Sequence, residues 1–87
     1  MQAARSDISR RVKEIVAELL EIRREAVRDD TSFVDDLQAD SLEISELATA
    51  IEEEFDVYIT DASLDRIVTV RDMIDFIVYF KKEAQRS

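Results

Sequence analysis

The stretch DLQADSLEISEL (residues 36–47) sets Ser41 between an aspartate and a leucine, where a helical pattern begins. Asp40 and Glu43 have the spacing of a capping box, in which each side chain accepts from the other's backbone N–H. Beyond them Leu42, Leu47, Ala48, Ile51 and Phe55 are expected on the inner side of a helix, with Ile44 near its edge. If Asp40 caps this helix, Ser41 takes its first position and the hydroxyl is left free. That oxygen then stands at the positive end of a helix dipole, where a phosphate ester is favoured. On these residues alone two readings stay open: a plain helix start, or a covalent attachment point.

Outward from this stretch the chain reads as helices. Ile8, Val12, Ile15, Val16, Leu19 and Ile22 form one stripe of a long first helix, with Ser6 as its expected N-cap and Asp7 placed for the dipole. Periodicity fails over REAVRDDTSFVDDLQAD (residues 24–40), which is long for a loop in a compact domain. Phe33, Val34 and Leu37 are expected to pack it on the body as an ordered crossing. DASLDRI (residues 61–67) makes one or two turns started by Asp61 or Thr60. Thr69 with Asp72 resembles another capping box, opening a last helix through Val70, Met73, Ile74, Ile77 and Phe80. FDVYIT (residues 55–60) has the look of a strand, but no second strand exists to pair with it. The expected fold is all-α, a small four-helix bundle of three main helices and one short one, with a long ordered loop between the first two. One domain is expected over residues 1–87. Glycine and proline are both absent, so ordinary residues, Asp foremost, must take any positive φ.

Composition narrows the function. At 87 residues, 46% hydrophobic and 38% charged, the chain can fold but has little apolar material to spare. With no cysteine there is neither a disulfide nor a thiolate metal site. With no histidine, the commonest general base is missing, and the chain is not expected to be an enzyme. The net charge of −9, from 21 acidic and 12 basic residues, makes nucleic acid a poor partner and basic proteins better ones. Arg5, Arg10, Arg11, Lys13, Arg23, Arg24 and Arg28 lie early and Lys81, Lys82 and Arg86 late, with no Lys or Arg between Asp29 and Asp65. The acids at Asp35-Asp36 and residues 52–56 lack the turn glycine of an EF-hand, so no dedicated metal site is expected and any divalent cation would bind loosely. No run is long enough to span a bilayer, and the start MQAARSDISRR lacks the apolar stretch of a signal peptide, which reads as cytoplasmic.

TSFVDDLQADSLEISELATAIEEEFDVYITD (residues 31–61) followed by IVTVRDMIDFI (residues 67–77) closely resembles the acyl carrier protein family. Asp40-Ser41-Leu42 matches the family's attachment motif. Alone the triplet is weak; joined at the family's spacing to Glu46-Leu47, EEEF (residues 52–55) and TVRDMIDFI (residues 69–77), it is strong. The resemblance implies that Ser41 carries 4′-phosphopantetheine, added from coenzyme A by a phosphopantetheinyl transferase. The arm's thiol would hold acyl groups as thioesters in fatty acid, specialised lipid or polyketide biosynthesis. It further implies that Asp40, Leu42, Glu43, Glu46, Glu52 and Glu53 meet basic patches on the transferase and on acyl-loading and acyl-processing enzymes. Phe33, Leu47, Ile51, Phe55, Ile59, Ile67 and Ile74 would be the interior that parts to shelter an acyl chain, in a protein expected to be monomeric. Two departures stand out. Gln38 replaces a glycine common in the family, so the approach to Ser41 is expected to bend differently, and Ser45 and Thr49 replace exposed apolar residues that help partners grip. The alternatives are an aminoacyl or peptidyl carrier, and an unmodified acidic helical adaptor with no use for Ser41.

Overall fold

The computed structural model describes residues 4–84, so Arg86 and Ser87 lie outside it. In chain order it holds α1 (Arg5–Leu20), a 3-10 turn (Arg24–Ala26), α2 (Ser41–Phe55), α3 (Asp61–Arg66) and α4 (Val70–Ala84). Among the described residues there is no strand, and one isolated bridge joins Ser32 to Thr69. The architecture is the expected all-α bundle with a long ordered crossing.

α1 packs against both α2 and α4. The core they enclose is aliphatic, with Val12, Ile51, Val70, Ile74 and Ile77 all at 0% exposure. Ion pairs lie around it: Arg5 to Asp75 at 2.6 Å, Arg11 to Glu54 at 3.1 Å and Lys13 to Asp29 at 2.6 Å. Such partly exposed pairs are worth about 0–1 kcal/mol each, so aliphatic burial rather than charge pairing holds the bundle.

The start of α1 differs from expectation. Its N-cap is Ala4, in an extended conformation with no side-chain cap, and Ser6 lies inside the first turn. Ile22 falls beyond the helix end, where its N–H still closes onto the Ala17 carbonyl at 3.0 Å. Both α1 and α2 finish on left-handed residues that are not glycine, Glu21 at φ 56° and Asp56 at φ 55°.

The crossing is ordered because its backbone is bonded to residues 68–71, where α4 opens. Phe33 N–H donates to Val68 C=O at 3.1 Å, Val70 N–H to Thr31 C=O at 2.9 Å and Arg71 N–H to Asp29 C=O at 2.8 Å. Val27, Phe33 and Ala39 are buried along it, whereas Val34, expected to pack inward, is 57% exposed. Where Gln38 was expected to alter the approach to Ser41, it takes φ 54°, the left-handed conformation a glycine would supply. A side chain costs about 1–2 kcal/mol there, partly offset by the freedom a glycine gains in the unfolded chain. Gln38→Gly should therefore raise stability by roughly 0.5–1 kcal/mol in a denaturant titration. An unchanged midpoint would mean that the Gln38 side chain returns what its backbone costs.

α3 and α4 start on side-chain caps. Thr60, rather than Asp61, caps α3 by accepting from Ser63 N–H at 3.1 Å. Asp72 N–H donates to Thr69 Oγ1 at 3.2 Å, while Asp72 Oδ2 accepts from the N–H groups of Thr69 at 3.0 Å and Val68 at 2.9 Å. The Thr69 backbone bond foremost holds the Asp72 carboxyl below its ordinary value of 3.8. A carboxylate with a depressed folded value stabilises the fold above the unfolded value, and that stability is lost as pH falls through the folded one. The melting advantage of wild type over Asp72→Asn should thus be full at neutral pH and shrink only below about 3.8. A gap that closes well above that pH would assign it to something other than this carboxylate.

Candidate functional site

Asp40 relieves Ser41 of the capping task. Glu43 N–H donates to Asp40 Oδ1 at 2.8 Å, and Asp40 N–H donates to Glu43 Oε1 at 3.1 Å. Ser41 is the first residue of α2 and is exposed, and among the described residues its hydroxyl has no hydrogen-bond partner. The first backbone bond into the helix runs from Ile44 N–H to Asp40 C=O at 2.9 Å, so the positive end of the helix lies at Ser41.

Beside Ser41 a depression of about 380 Å³ opens between α2, α3 and the crossing. Its lining is mainly apolar, with Phe33, Ile44, Leu47, Leu64 and Ile67 inside and Val34 and Val68 exposed at the rim. Three of the residues expected to shelter a chain, Phe33, Leu47 and Ile67, line it. Ile51, Ile59 and Ile74 are buried, Phe55 packs partly buried against the same core, and none of the four borders the depression. Sequence reasoning missed Ile44, Leu64, Val68, Ser45 and Asp65 as lining residues. Ile44 and Ser45 left a usable signal, three and four positions from Ser41 on the same helix face.

The acids of α2 divide by use. Asp40 and Glu43 are engaged in the cap, and Glu52 Oε2 accepts from Ile59 N–H at 2.8 Å, fastening the chain after α2. Glu46 and Glu53 are exposed and unpaired among the described residues. Leu42, expected on the inner side, is instead 68% exposed beside Ser41. It stands nine residues from Ile51, about 180° round the helix, so the two cannot share a face. Among the described residues no cluster of acids is placed to hold a metal ion, and no helix is long and apolar enough to cross a membrane.

The comparisons agree with this geometry. The family described as the phosphopantetheine attachment site matches residues 10–77. An acyl carrier protein of Buchnera aphidicola subsp. Acyrthosiphon pisum, strain Tuc7, is 49% identical over 71 residues, covering 82% of this chain and 89% of that one. The protein of strain 5A matches to the same degree. The chain belongs to the acyl carrier protein family. An acyl carrier protein from Enterococcus faecalis superposes with a TM-score of 0.76 at 31% identity, over 90% of this chain and 99% of that one. The chain is thus a carrier of 4′-phosphopantetheine that serves biosynthetic enzymes, and members of its family are carriers rather than catalysts. A free, exposed hydroxyl at a helix start beside an apolar hollow fits that group.

Proposed function

We propose that Ser41 is the residue that carries the arm, in a cytoplasmic, non-catalytic, monomeric carrier whose single domain spans residues 1–87. The observation behind this reading is that Asp40 does the capping, which leaves Ser41 Oγ exposed and unbonded beside the apolar depression. When bound, 4′-phosphopantetheine supplies a terminal thiol that holds acyl groups as thioesters. Ser41 Oγ would form the new bond to the arm's phosphorus as the P–O bond to the adenosine bisphosphate part of coenzyme A breaks, with that part as leaving group and the hydroxyl proton passing to a base on the transferase. The mostly apolar lining of Phe33, Leu47 and Ile67 favours acyl cargo over aminoacyl cargo. Ile51, Phe55, Ile59 and Ile74 would meet a chain only if the core parted. Incubation with a broad-specificity phosphopantetheinyl transferase and coenzyme A, followed by peptide mapping, should place the mass gain on residue 41. A gain on any other serine overturns the assignment.

Glu46, Glu53 and Leu42 are the side chains of α2 free to meet a partner, with Asp40, Glu43 and Glu52 adding charge while they hold the fold. The transferase and the acyl-loading and acyl-processing enzymes are the partners proposed for this face. Glu46→Lys should slow Ser41 modification by about tenfold at low ionic strength, through association rate, with a stability change within about 0.5 kcal/mol. Raising salt should narrow the difference, because the attraction it removes is screened. Equal rates at low salt would reduce the acidic face to a solvated surface.

A further inference from the structure

We infer that Lys13 and Asp29 are positioning residues for the arm's cargo: their ion pair anchors to α1 the wall that the crossing contributes to the depression. The inference rests on the reading that this depression shelters an acyl chain, and adds two residues that reading does not use. Phe33, Val34, Ile67 and Val68 of its lining come from two segments that run side by side. Phe33 N–H donates to Val68 C=O at 3.1 Å, Val70 N–H to Thr31 C=O at 2.9 Å and Arg71 N–H to Asp29 C=O at 2.8 Å. With the bridge between Ser32 and Thr69, these bonds make a short antiparallel ribbon. One end of the ribbon lines the depression, and the other end is Asp29.

Asp29 is where the ribbon is tied to the bundle. Its backbone carbonyl takes the last ribbon bond, and its side chain meets α1, where Lys13 Nζ lies 2.6 Å from Oδ1. That oxygen is sealed from solvent and has no other partner. Among the described residues Lys13 is the least exposed cation of an ion pair, at 17% of its side chain, whereas Arg5, Arg10 and Arg11 lie at 38% or more. The Lys13 ammonium foremost, with Arg71 and Arg5 adding to it against burial, holds the Asp29 carboxyl below its ordinary value of 3.8. Both charges are therefore present through the neutral range.

Neither Lys13 nor Asp29 borders the depression, so any effect on cargo must pass through the ribbon. α1 packs against α2 and α4, and a tie from α1 fixes the ribbon relative to the opposite lining, Ile44 and Leu47 of α2. Phe33 and Val70 hold the middle of the ribbon by burial, but apolar packing is non-directional and leaves its place along α1 loosely set. A single ammonium–carboxylate contact supplies that register. A wall held in place before cargo arrives spares the ordering that a loose one would cost on binding. The pair adds little to global stability, so its loss should be felt at the wall rather than across the fold.

The test compares wild type, Asp29→Asn, Lys13→Arg and the double variant Lys13→Met with Asp29→Asn, which removes both charges and leaves no orphan ammonium. Melting is read on each holo-protein and again after the arm is loaded with a medium-length saturated acyl group. The gain on loading should fall to about half the wild-type gain or less in Asp29→Asn and in the double variant. Lys13→Arg, which retains the charge, should keep it. A role confined to folding would lower holo and loaded forms together and leave the gain unchanged. Hydrogen exchange of the holo-proteins is the second readout. The Phe33 and Val70 amides should exchange about tenfold faster in the two variants that lose the pair, with the Ile44 amide of α2 unmoved. Equal protection of the Phe33 and Val70 amides overturns the inference. So does a wild-type gain on loading that the two variants repeat in full or exceed, and this leaves the shelter reading intact. A wild type that gains nothing on loading overturns the shelter reading and the inference together. Attachment at Ser41 is read separately by intact mass, and its failure leaves the exchange comparison standing.

Discussion

Ser41→Ala should abolish the phosphopantetheine mass gain completely while leaving the melting temperature almost unchanged. The two halves of this result come from different atoms. Loss of the gain follows from removing the one exposed, unbonded hydroxyl at the start of α2. Retention of stability follows because the first-turn donor is satisfied by Asp40, whose Oδ1 accepts from Glu43 N–H at 2.8 Å. Loss of a cap costs about 1 kcal/mol, so Asp40→Ala should lower stability by about that amount and Ser41→Ala by well under it. Asp40→Ala should nevertheless keep a modifiable serine. Intact mass and thermal denaturation on the two variants give opposite patterns if attachment and capping are separate. A stability loss in Ser41→Ala matching that of Asp40→Ala would show the serine to be a structural cap. A gain that persists in Ser41→Ala would remove it as the attachment point.

That separation was legible in the sequence because capping is local: residues 40 and 43 fix it whatever else the chain does. The same holds for Thr69 with Asp72, and the core stripe of α4 follows from its period. What local reasoning could not deliver lies where distant segments meet. Glu52 looks like one of a run of surface acids, and only the return of the chain to Ile59 shows its carboxylate engaged by a backbone N–H. The depression beside Ser41 needs Leu64 and Val68 to be carried against α2, and no spacing within either segment announces that. Leu42 departs from expectation for a different reason: a half-turn separates it from Ile51, so its apolar character does not bring it inward and the structure leaves it 68% exposed. Ser6 shows the converse error, a good capping residue passed over because α1 begins earlier, at Arg5. The absence of glycine shows at three positions. Glu21, Gln38 and Asp56 take the left-handed conformation there, so the cost appears as backbone strain.

The second large effect separates the residues that line the depression from those that only fill the core. Leu47 is 2% exposed and lines the depression, whereas Ile74 is 0% exposed and does not border it. Truncating either to alanine should cost about 2–5 kcal/mol, from lost burial and the void left behind. In a domain of this size that lowers the melting temperature by roughly 10–30 °C. The two voids differ in access. Space vacated by Leu47 opens onto the hollow beside Ser41, where a tethered acyl chain can reach it, while space vacated by Ile74 is closed off. Loading the arm with a medium-length saturated acyl group should therefore restore roughly half of the loss in Leu47→Ala, because refilling apolar volume regains the contacts that the truncation removed. The same loading should raise Ile74→Ala no more than it raises wild type. Thermal denaturation of holo and acyl-loaded forms of the three proteins makes the comparison. Equal shifts in both variants would mean that cargo does not single out the space beside Leu47, either because it stays outside the fold or because the core opens as far as Ile74.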